Sequence, residues 1–150
     1  MAHGFGNVTL PNGAQYEGEI ANGVKDGYGE LIEPGLGRYE GNFKNDKYEG
    51  FGKYIFENGD VYEGEFKNGY WNGKGALSLN SGIRYVGEFM YGRYHGEGKL
   101  ISPEGEVYQG RFQNGMRHGE GLCIKNSLVA RCVYENNRNV SYDANSGIYL

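Results

Sequence analysis

Glycine recurs along this chain with a period of 23 residues, and this period constrains the fold more than any other feature. Five columns of equivalent positions hold 25 of the 28 glycines. A low-complexity chain does not keep such a register, so the glycines are predicted to belong to an ordered repeat array. Two columns lie two residues apart and give a Gly-x-Gly pair in each repeat. They are Gly4, Gly27, Gly50, Gly73, Gly96 and Gly119, and Gly6, Gly29, Gly52, Gly75, Gly98 and Gly121.

Within each repeat, alternation with period two predicts β-strands. In the third copy, Tyr62, Gly64 and Phe66 share one face, while the glutamates between them face water. Asn68 and Gly69 then predict a type I′ hairpin turn, because that turn needs positive φ at both central positions. Each repeat is therefore predicted to be one β-hairpin. The whole chain is predicted to be an elongated single-layer antiparallel meander of about ten to twelve short strands.

Aromatic rings are the predicted core, since the chain has 14 tyrosines and no helical periodicity that could supply a second layer. The rings are predicted to lie flat across the bare backbone of the Gly-x-Gly strands. Two columns supply them. They are Tyr16, Tyr39, Tyr62, Tyr85 and Tyr108, and Ile20, Phe43, Phe66, Phe89 and Phe112.

Charge and composition argue against several classes of function. The net charge of −4 argues against nucleic acid as a partner. The sequence contains no apolar run near the roughly 18–20 residues of a membrane helix and no signal-peptide pattern. A cytoplasmic location is therefore expected. Cys123 and Cys132 are too few for a disulfide framework, which suits a reducing compartment. Cys123 stands in a leucine column and is predicted to be a buried free thiol.

No residue pattern predicts catalysis, a metal site or a cofactor. His3, His95 and His118 share a polar repeat column that is predicted to face solvent. The cysteines lack zinc-ligand spacing, and no Gly-x-Gly pair opens a helix or leads into a phosphate-binding loop. The glutamates beside the tyrosine columns are interpreted as a solvated face. The chain is therefore predicted not to be an enzyme.

The motif Tyr-x-Gly-x-Phe/Ile-x-Asn-Gly followed by Gly-x-Gly resembles the MORN (membrane occupation and recognition nexus) repeat, from residue 3 to about 129. The resemblance implies an all-β fold, an elongated antiparallel meander of MORN β-hairpins twisted into a trough. It also implies a small stand-alone protein of a cytoskeletal, ciliary or flagellar (axonemal) assembly. The predicted divisions are a half repeat at 1–15, repeats at 16–38, 39–61, 62–84, 85–107 and 108–129, and a degenerate C-terminal cap at 130–150.

One further column suggests a site. It places large aromatic rings in three central repeats and cations in the outer ones, on the same face as the paired glycines. Two interpretations stay open: a partner-binding groove with an aromatic floor and basic ends, or plain packing. The candidate groove consists of Tyr48, Trp71 and Tyr94, with Tyr39, Tyr62, Tyr85, Phe43, Phe66 and Phe89 beside them and Lys25 and Arg117 at its ends.

The leading functional prediction is a non-enzymatic scaffold that docks an extended or helical segment of a partner protein. The alternative is a peripheral membrane adaptor that binds anionic phosphoinositides, which requires a basic patch. The lysines here are scattered among acidic residues instead. End-to-end self-association through a terminal strand is also expected of an open array.

Overall fold

The computed structural model describes residues 3–143 and 148–149, and within them it contains strands and no helix. The first thirteen strands form one open antiparallel sheet in which each strand pairs with its neighbours in chain order. The last two strands pair with each other. The strands are β1 (His3–Thr9), β2 (Gln15–Ala21), β3 (Val24–Glu33), β4 (Gly37–Lys44), β5 (Lys47–Phe56), β6 (Val61–Lys67), β7 (Tyr70–Ser78), β8 (Arg84–Met90), β9 (Arg93–Ile101), β10 (Val107–Gln113), β11 (Met116–Lys125), β12 (Leu128–Glu135), β13 (Arg138–Asn139), β14 (Tyr142–Asp143) and β15 (Ile148–Tyr149).

This topology confirms the predicted all-β meander of hairpins. The strand number exceeds the expected ten to twelve because the C-terminal segment adds the two-residue strands β13, β14 and β15. Parts of the predicted terminal divisions lie outside the described residues: 1–2 of the half repeat, and 144–147 and 150 of the cap.

The turns within the repeats have the backbone conformation that the Asn-Gly pairs predict. Asn68 and Gly69 have φ values of 50° and 85°, so both central positions lie in the left-handed region. Tyr91 adopts the same conformation where the other repeats have asparagine, with φ of 48°. Turn geometry is therefore imposed by the array even where the local residue does not favour it.

A β-bulge follows each of these turns, and alternation alone did not predict it. Gly64 pairs with Gly75 and Phe66 with Trp71, so three residues of β7 lie opposite Glu65 alone. Gly73, the first glycine of its pair, sits in this bulge with φ of 98°, which explains why glycine is needed there.

The core consists of tyrosine rings lying across glycine backbone, as the sequence predicts. A Cβ added at Gly75 would lie 2.5 Å from the hydroxyl oxygen of Tyr62, so no side chain fits beneath the ring. The Tyr62 hydroxyl donates a 2.7 Å hydrogen bond to the Glu65 carbonyl oxygen, which fixes the ring in this position. The same hydroxyl-to-carbonyl bond recurs from Tyr16, Tyr39, Tyr85 and Tyr108.

The prediction of free, reduced cysteines is wrong, because Cys123 and Cys132 form a disulfide. Cys123 pairs with Ala130 across the β11–β12 hairpin, which makes Cys132 its diagonal neighbour on the same face. Their Cα atoms lie 5.9 Å apart, within the range that a disulfide spans. Gly121, opposite Cys132, lies beneath the Tyr108 ring, because a Cβ added there would lie 2.6 Å from a ring carbon of Tyr108.

Candidate functional site

The sheet face that carries the tyrosine and phenylalanine columns is called here the ring face. Six of the predicted groove residues are core residues of this face and do not form its accessible surface. Edge-to-face contacts between the two columns bury them, with Tyr62 and Phe66 centroids 5.0 Å apart. The six are Tyr39, Tyr62 and Tyr85, which are 0% exposed, and Phe43, Phe66 and Phe89, which are 3% exposed.

The accessible layer of the ring face is a row of three half-buried rings: Tyr48, Trp71 and Tyr94. Each ring stacks face to face on the buried tyrosine of its own repeat. Trp71 lies parallel to Tyr62, with the planes 5° apart and the centroids separated by 4.6 Å. The corresponding centroid separations are 4.1 Å for Tyr48 and 3.9 Å for Tyr94. The row is therefore packed against the core on one side and remains partly exposed to solvent.

Cations replace the rings at both ends of the row and stay close to aromatic faces. The Lys25 ammonium lies 5.8 Å from the centroid of the Tyr16 ring and 3.2 Å from a carboxylate oxygen of Asp46. At the other end, the Arg117 guanidinium lies 4.3 Å from the centroid of the Tyr134 ring. Cation–π contacts thus take the place of ring stacking in the outer repeats.

The backbone of the row is tied to the next hairpin, which keeps successive rings in register. The Trp71 carbonyl oxygen accepts a 2.9 Å hydrogen bond from the amide of Gly92, the second turn residue of the following repeat. The carbonyls of Tyr48 and Tyr94 accept equivalent bonds of 3.0 Å from Gly69 and Gly115.

A carboxylate lies at the N-terminal side of the row. The Tyr48 and Tyr54 hydroxyls donate hydrogen bonds of 2.6 Å and 2.8 Å to the same oxygen of Glu33. Burial, followed by these bonds to Glu33, raises the pKa of both tyrosines. These phenols therefore stay neutral and act as hydrogen-bond donors at physiological pH.

A cleft of about 680 Å³ continues the ring face beyond the C-terminal end of the row. It exists because Ala130 stands where the other repeats have the buried tyrosine, so one ring is missing. The disulfide between Cys123 and Cys132 lines the cleft, and Arg117 and Tyr134 lie at its border with the row.

Two polar columns have structural roles that sequence reasoning missed. The Glu65 carboxylate accepts a 2.5 Å hydrogen bond from the amide of Lys74 and so closes the bulge; Glu19 and Glu88 do the same in their repeats. In the histidine column, Nδ1 of His118 accepts a 3.3 Å bond from the turn amide of Asn136. The fixed spacing of these residues is visible in the sequence. Their hydrogen-bond partners could not be predicted, because they depend on how the bulge shifts the pairing of the strands.

The described part of the chain contains no cluster of three or more histidine, cysteine or acidic side chains suited to a metal ion. None of its elements is a helix long and apolar enough to cross a membrane.

Comparison with known families matches the same repeat unit. The model of the MORN repeat matches five consecutive segments, at residues 16–32, 39–61, 62–84, 85–107 and 108–127. A search of curated proteins finds no match. The matched segments cover more than half of the chain, and their boundaries coincide with the hairpins that begin at the buried tyrosines. The chain therefore belongs to the MORN repeat family.

Proposed function

We propose that this protein is a non-enzymatic docking module whose ring face binds a segment of a partner protein. MORN repeats generally serve as interaction modules for proteins or membranes, and the family is a non-enzymatic one. The observation that carries the proposal is the row of Tyr48, Trp71 and Tyr94, three large rings that pack on the core and stay partly exposed. Tyrosine and tryptophan are the residues most enriched at binding hot spots.

Preorganisation supports this assignment. Trp71 is held by its stack on Tyr62 and by an edge contact with Phe89, whose centroid lies 5.9 Å away. A ring that is already fixed loses little conformational entropy when a partner covers it. The exposed parts of these rings are therefore well suited to anchor apolar side chains of an extended or helical segment.

Charge at the two ends of the row defines the partner further. Lys25 already has a carboxylate partner in Asp46, whereas the hydrogen-bonding partners of Arg117 are the neutral Tyr134 and Asn137. The partner segment is therefore proposed to be apolar along the row and to carry an acidic residue at the Arg117 end. Anionic phosphoinositides are disfavoured, because among the described residues the row offers one uncompensated cation and a lipid headgroup needs several.

The cellular setting belongs to this proposal and comes from the family resemblance: a cytoplasmic assembly of the cytoskeleton, cilium or flagellum. The disulfide between Cys123 and Cys132 is the observation against a reducing compartment. Lysing cells directly in denaturant that contains an alkylating agent tests this setting, because buried reduced thiols are then also modified. Unmodified cysteines would overturn the cytoplasmic assignment, and alkylated cysteines would support it.

The docking function is tested by partner capture from the native source. The variant Trp71→Ala with Tyr94→Ala is expected to lose captured partners, since both anchors are removed. The control is Tyr70→Ala with Tyr91→Ala, which removes two exposed rings that lie at the turns. Circular dichroism must show that both variants are folded. Equal capture by the ring-face variant and the wild type would reject the proposal.

Sedimentation with vesicles that contain anionic phosphoinositides distinguishes the docking module from a membrane adaptor. The docking proposal predicts no more binding than to neutral vesicles at about 150 mM salt, since dispersed charges are screened at that ionic strength. Strong binding that disappears as salt rises would favour the membrane adaptor instead.

A further inference from the structure

A second surface lies on the opposite side of the sheet, called here the outer face, and the proposed docking function does not use it. The residue between the two glycines of each Gly-x-Gly pair points to this face. In the N-terminal half repeat and the first two full repeats that residue is Phe5, Tyr28 or Phe51, and these side chains are 71%, 56% and 59% exposed. In the later repeats the same position is Lys74, Glu97 or Glu120. At this repeat position, exposed rings are thus confined to the N-terminal half of the array.

Burial does not explain these three rings. More than half of each side chain is exposed to solvent, so packing against the sheet does not account for it. They also recur in register, and strands that are one repeat apart in a sheet are separated by about 10 Å. Three large rings in a line on an open surface are typical of a binding site and unusual on a surface that serves only solubility.

The charges around the rings are negative. On the outer face of β2, β3 and β4, Glu17 lies directly opposite Glu30, and Glu30 directly opposite Glu40. Like charges placed opposite each other across strands are destabilising. Arg38 pairs with Glu30 at 3.1 Å, but Glu17 and Glu40 have no ion-pair partner within the described residues.

The same row of side chains continues into β5 and β6. Lys53 is its one cation there, lying opposite Glu40 and Glu63, and it forms an ion pair with neither in the described structure. A shallow depression of about 640 Å³ next to Phe51 and Glu63 extends the surface toward β8. The N-terminal half of the outer face therefore combines exposed rings with an excess of carboxylates.

We propose that the outer face of β1 to β6, centred on Phe5, Tyr28 and Phe51, binds an arginine- or lysine-rich segment of a partner protein. Guanidinium and ammonium groups stack on aromatic faces, and the flanking carboxylates pair with them. An extended polyproline II segment advances about 9 Å in three residues, close to the spacing of the rings. Cations at every third position then contact successive rings from one side of the segment.

The test is fluorescence anisotropy with a labelled nonapeptide of three Arg-Pro-Pro units and the full chain. A second peptide has the same composition with its three arginines adjacent. The spaced peptide is expected to bind more tightly than the clustered one, and its binding should weaken as salt rises. No binding of the spaced peptide would overturn the proposal. Equal binding of both peptides would overturn it too, because unspecific attraction to an acidic chain explains that result.

Variants locate the binding surface. Phe5→Ser, Tyr28→Ser and Phe51→Ser together are expected to weaken binding about 10- to 100-fold, the product of three exposed cation–π contacts. The control Tyr70→Ser with Tyr91→Ser should bind as the wild type does. Loss of binding in this control, or none in the triple variant, contradicts the assignment.

Two further variants test whether a loss of binding reflects unfolding and on which face of the sheet the peptide binds. Glu17→Gln, Glu40→Gln and Glu63→Gln together should weaken binding while the melting temperature stays close to that of the wild type, because relieved repulsion around Glu30 offsets the lost attraction to Lys53. If this variant binds at full strength, the carboxylates have no part in recognition and the proposal is wrong. Trp71→Ala with Tyr94→Ala should leave peptide binding intact. Loss of binding there would place the peptide on the ring face instead, whereas the docking function of that face is tested separately by partner capture.

Discussion

The second glycine of each Gly-x-Gly pair lies directly beneath a tyrosine ring, and this contact makes glycine irreplaceable there. Gly75→Ala is expected to lower the free energy of unfolding by about 1–3 kcal/mol, the usual cost of overpacking a core. The Tyr62 ring must move, because the new methyl group would lie 2.5 Å from its hydroxyl oxygen. Urea-induced unfolding followed by the fluorescence of Trp71 measures the change.

Gly4→Ala is the matched control, because no heavy atom lies within 4 Å of a Cβ added at that position. Its free energy of unfolding should stay within about 0.5 kcal/mol of the wild type. If the two variants are equally stable, the tyrosine rings do not depend on bare backbone.

The raised pKa values of the buried tyrosines predict that the protein unfolds at alkaline pH. Burial, and to a lesser degree the nearby Glu19, raises the pKa of Tyr16 to about 12. Burial raises the pKa of Tyr39, Tyr62 and Tyr85 further. A folded-state pKa above the unfolded value of about 10 contributes stability that is complete below pH 10 and disappears as pH rises through the folded value. We therefore expect stability to fall from about pH 10 upward.

Absorbance of tyrosinate at about 295 nm, followed together with far-ultraviolet circular dichroism, checks this prediction. Buried tyrosines should ionise in the same transition that destroys the strand signal. Complete ionisation of all tyrosines while the strand signal is retained would show that the rings are not enclosed as the structure has them.

Much of the residue-level packing could be predicted from the sequence, because column spacing showed which side chains meet. The aromatic columns and the glycines beneath them are examples. The difference between Tyr62, which is 0% exposed, and the half-buried Trp71 could not be predicted. Both belong to one face, and only the stacking order decides which ring lies on top.

Among the hairpins, the bulge is the feature that alternation could not predict. It places three residues of β7 opposite Glu65 and so sends the Glu65 carboxylate to the Lys74 amide. From the sequence, this glutamate column is interpreted as a solvated face. A bulge changes the register of the paired strands but leaves the 23-residue period intact, so the period gives no sign of it. The Cys123–Cys132 disulfide was missed for a related reason, since diagonal contacts require the register of β11 and β12.

The disulfide predicts a local gain in stability at the C-terminal end. Cys123→Ser with Cys132→Ser is expected to lower the free energy of unfolding by about 2–3 kcal/mol, following the loop-entropy relation for a short loop. Because each hairpin contacts mainly its neighbours, hydrogen exchange should accelerate in β10 to β12 and stay unchanged in β2 to β4.

A reducing agent provides the control for this experiment. It should accelerate exchange in the wild type to the rate of the double variant and have no effect on the variant itself. Uniform acceleration along all strands would instead mean that the array unfolds as one cooperative unit.

As a whole, the thirteen-stranded sheet is one layer with two different faces. The ring face buries its own core and leaves the row of Tyr48, Trp71 and Tyr94 half-covered. The outer face carries Phe5, Tyr28 and Phe51 among carboxylates. MORN repeats generally serve as interaction modules for proteins or membranes, and the sequence predicted that general role. The sequence could not assign a partner. The residues that repeat build the fold, whereas each surface depends on the residues that vary between copies.

Site-specific photocrosslinking most directly tests whether the ring face is the docking surface. A photoreactive phenylalanine analogue replaces Trp71 in one sample and Leu122, which is 40% exposed on the outer face of β11 and lies outside the surface proposed for basic segments, in another. Each protein is illuminated in extract of the native source, after circular dichroism has shown that it is folded. We predict a discrete crosslinked partner from position 71 that is absent from position 122. The same partner from both positions, or a partner from position 122 alone, would contradict the assignment.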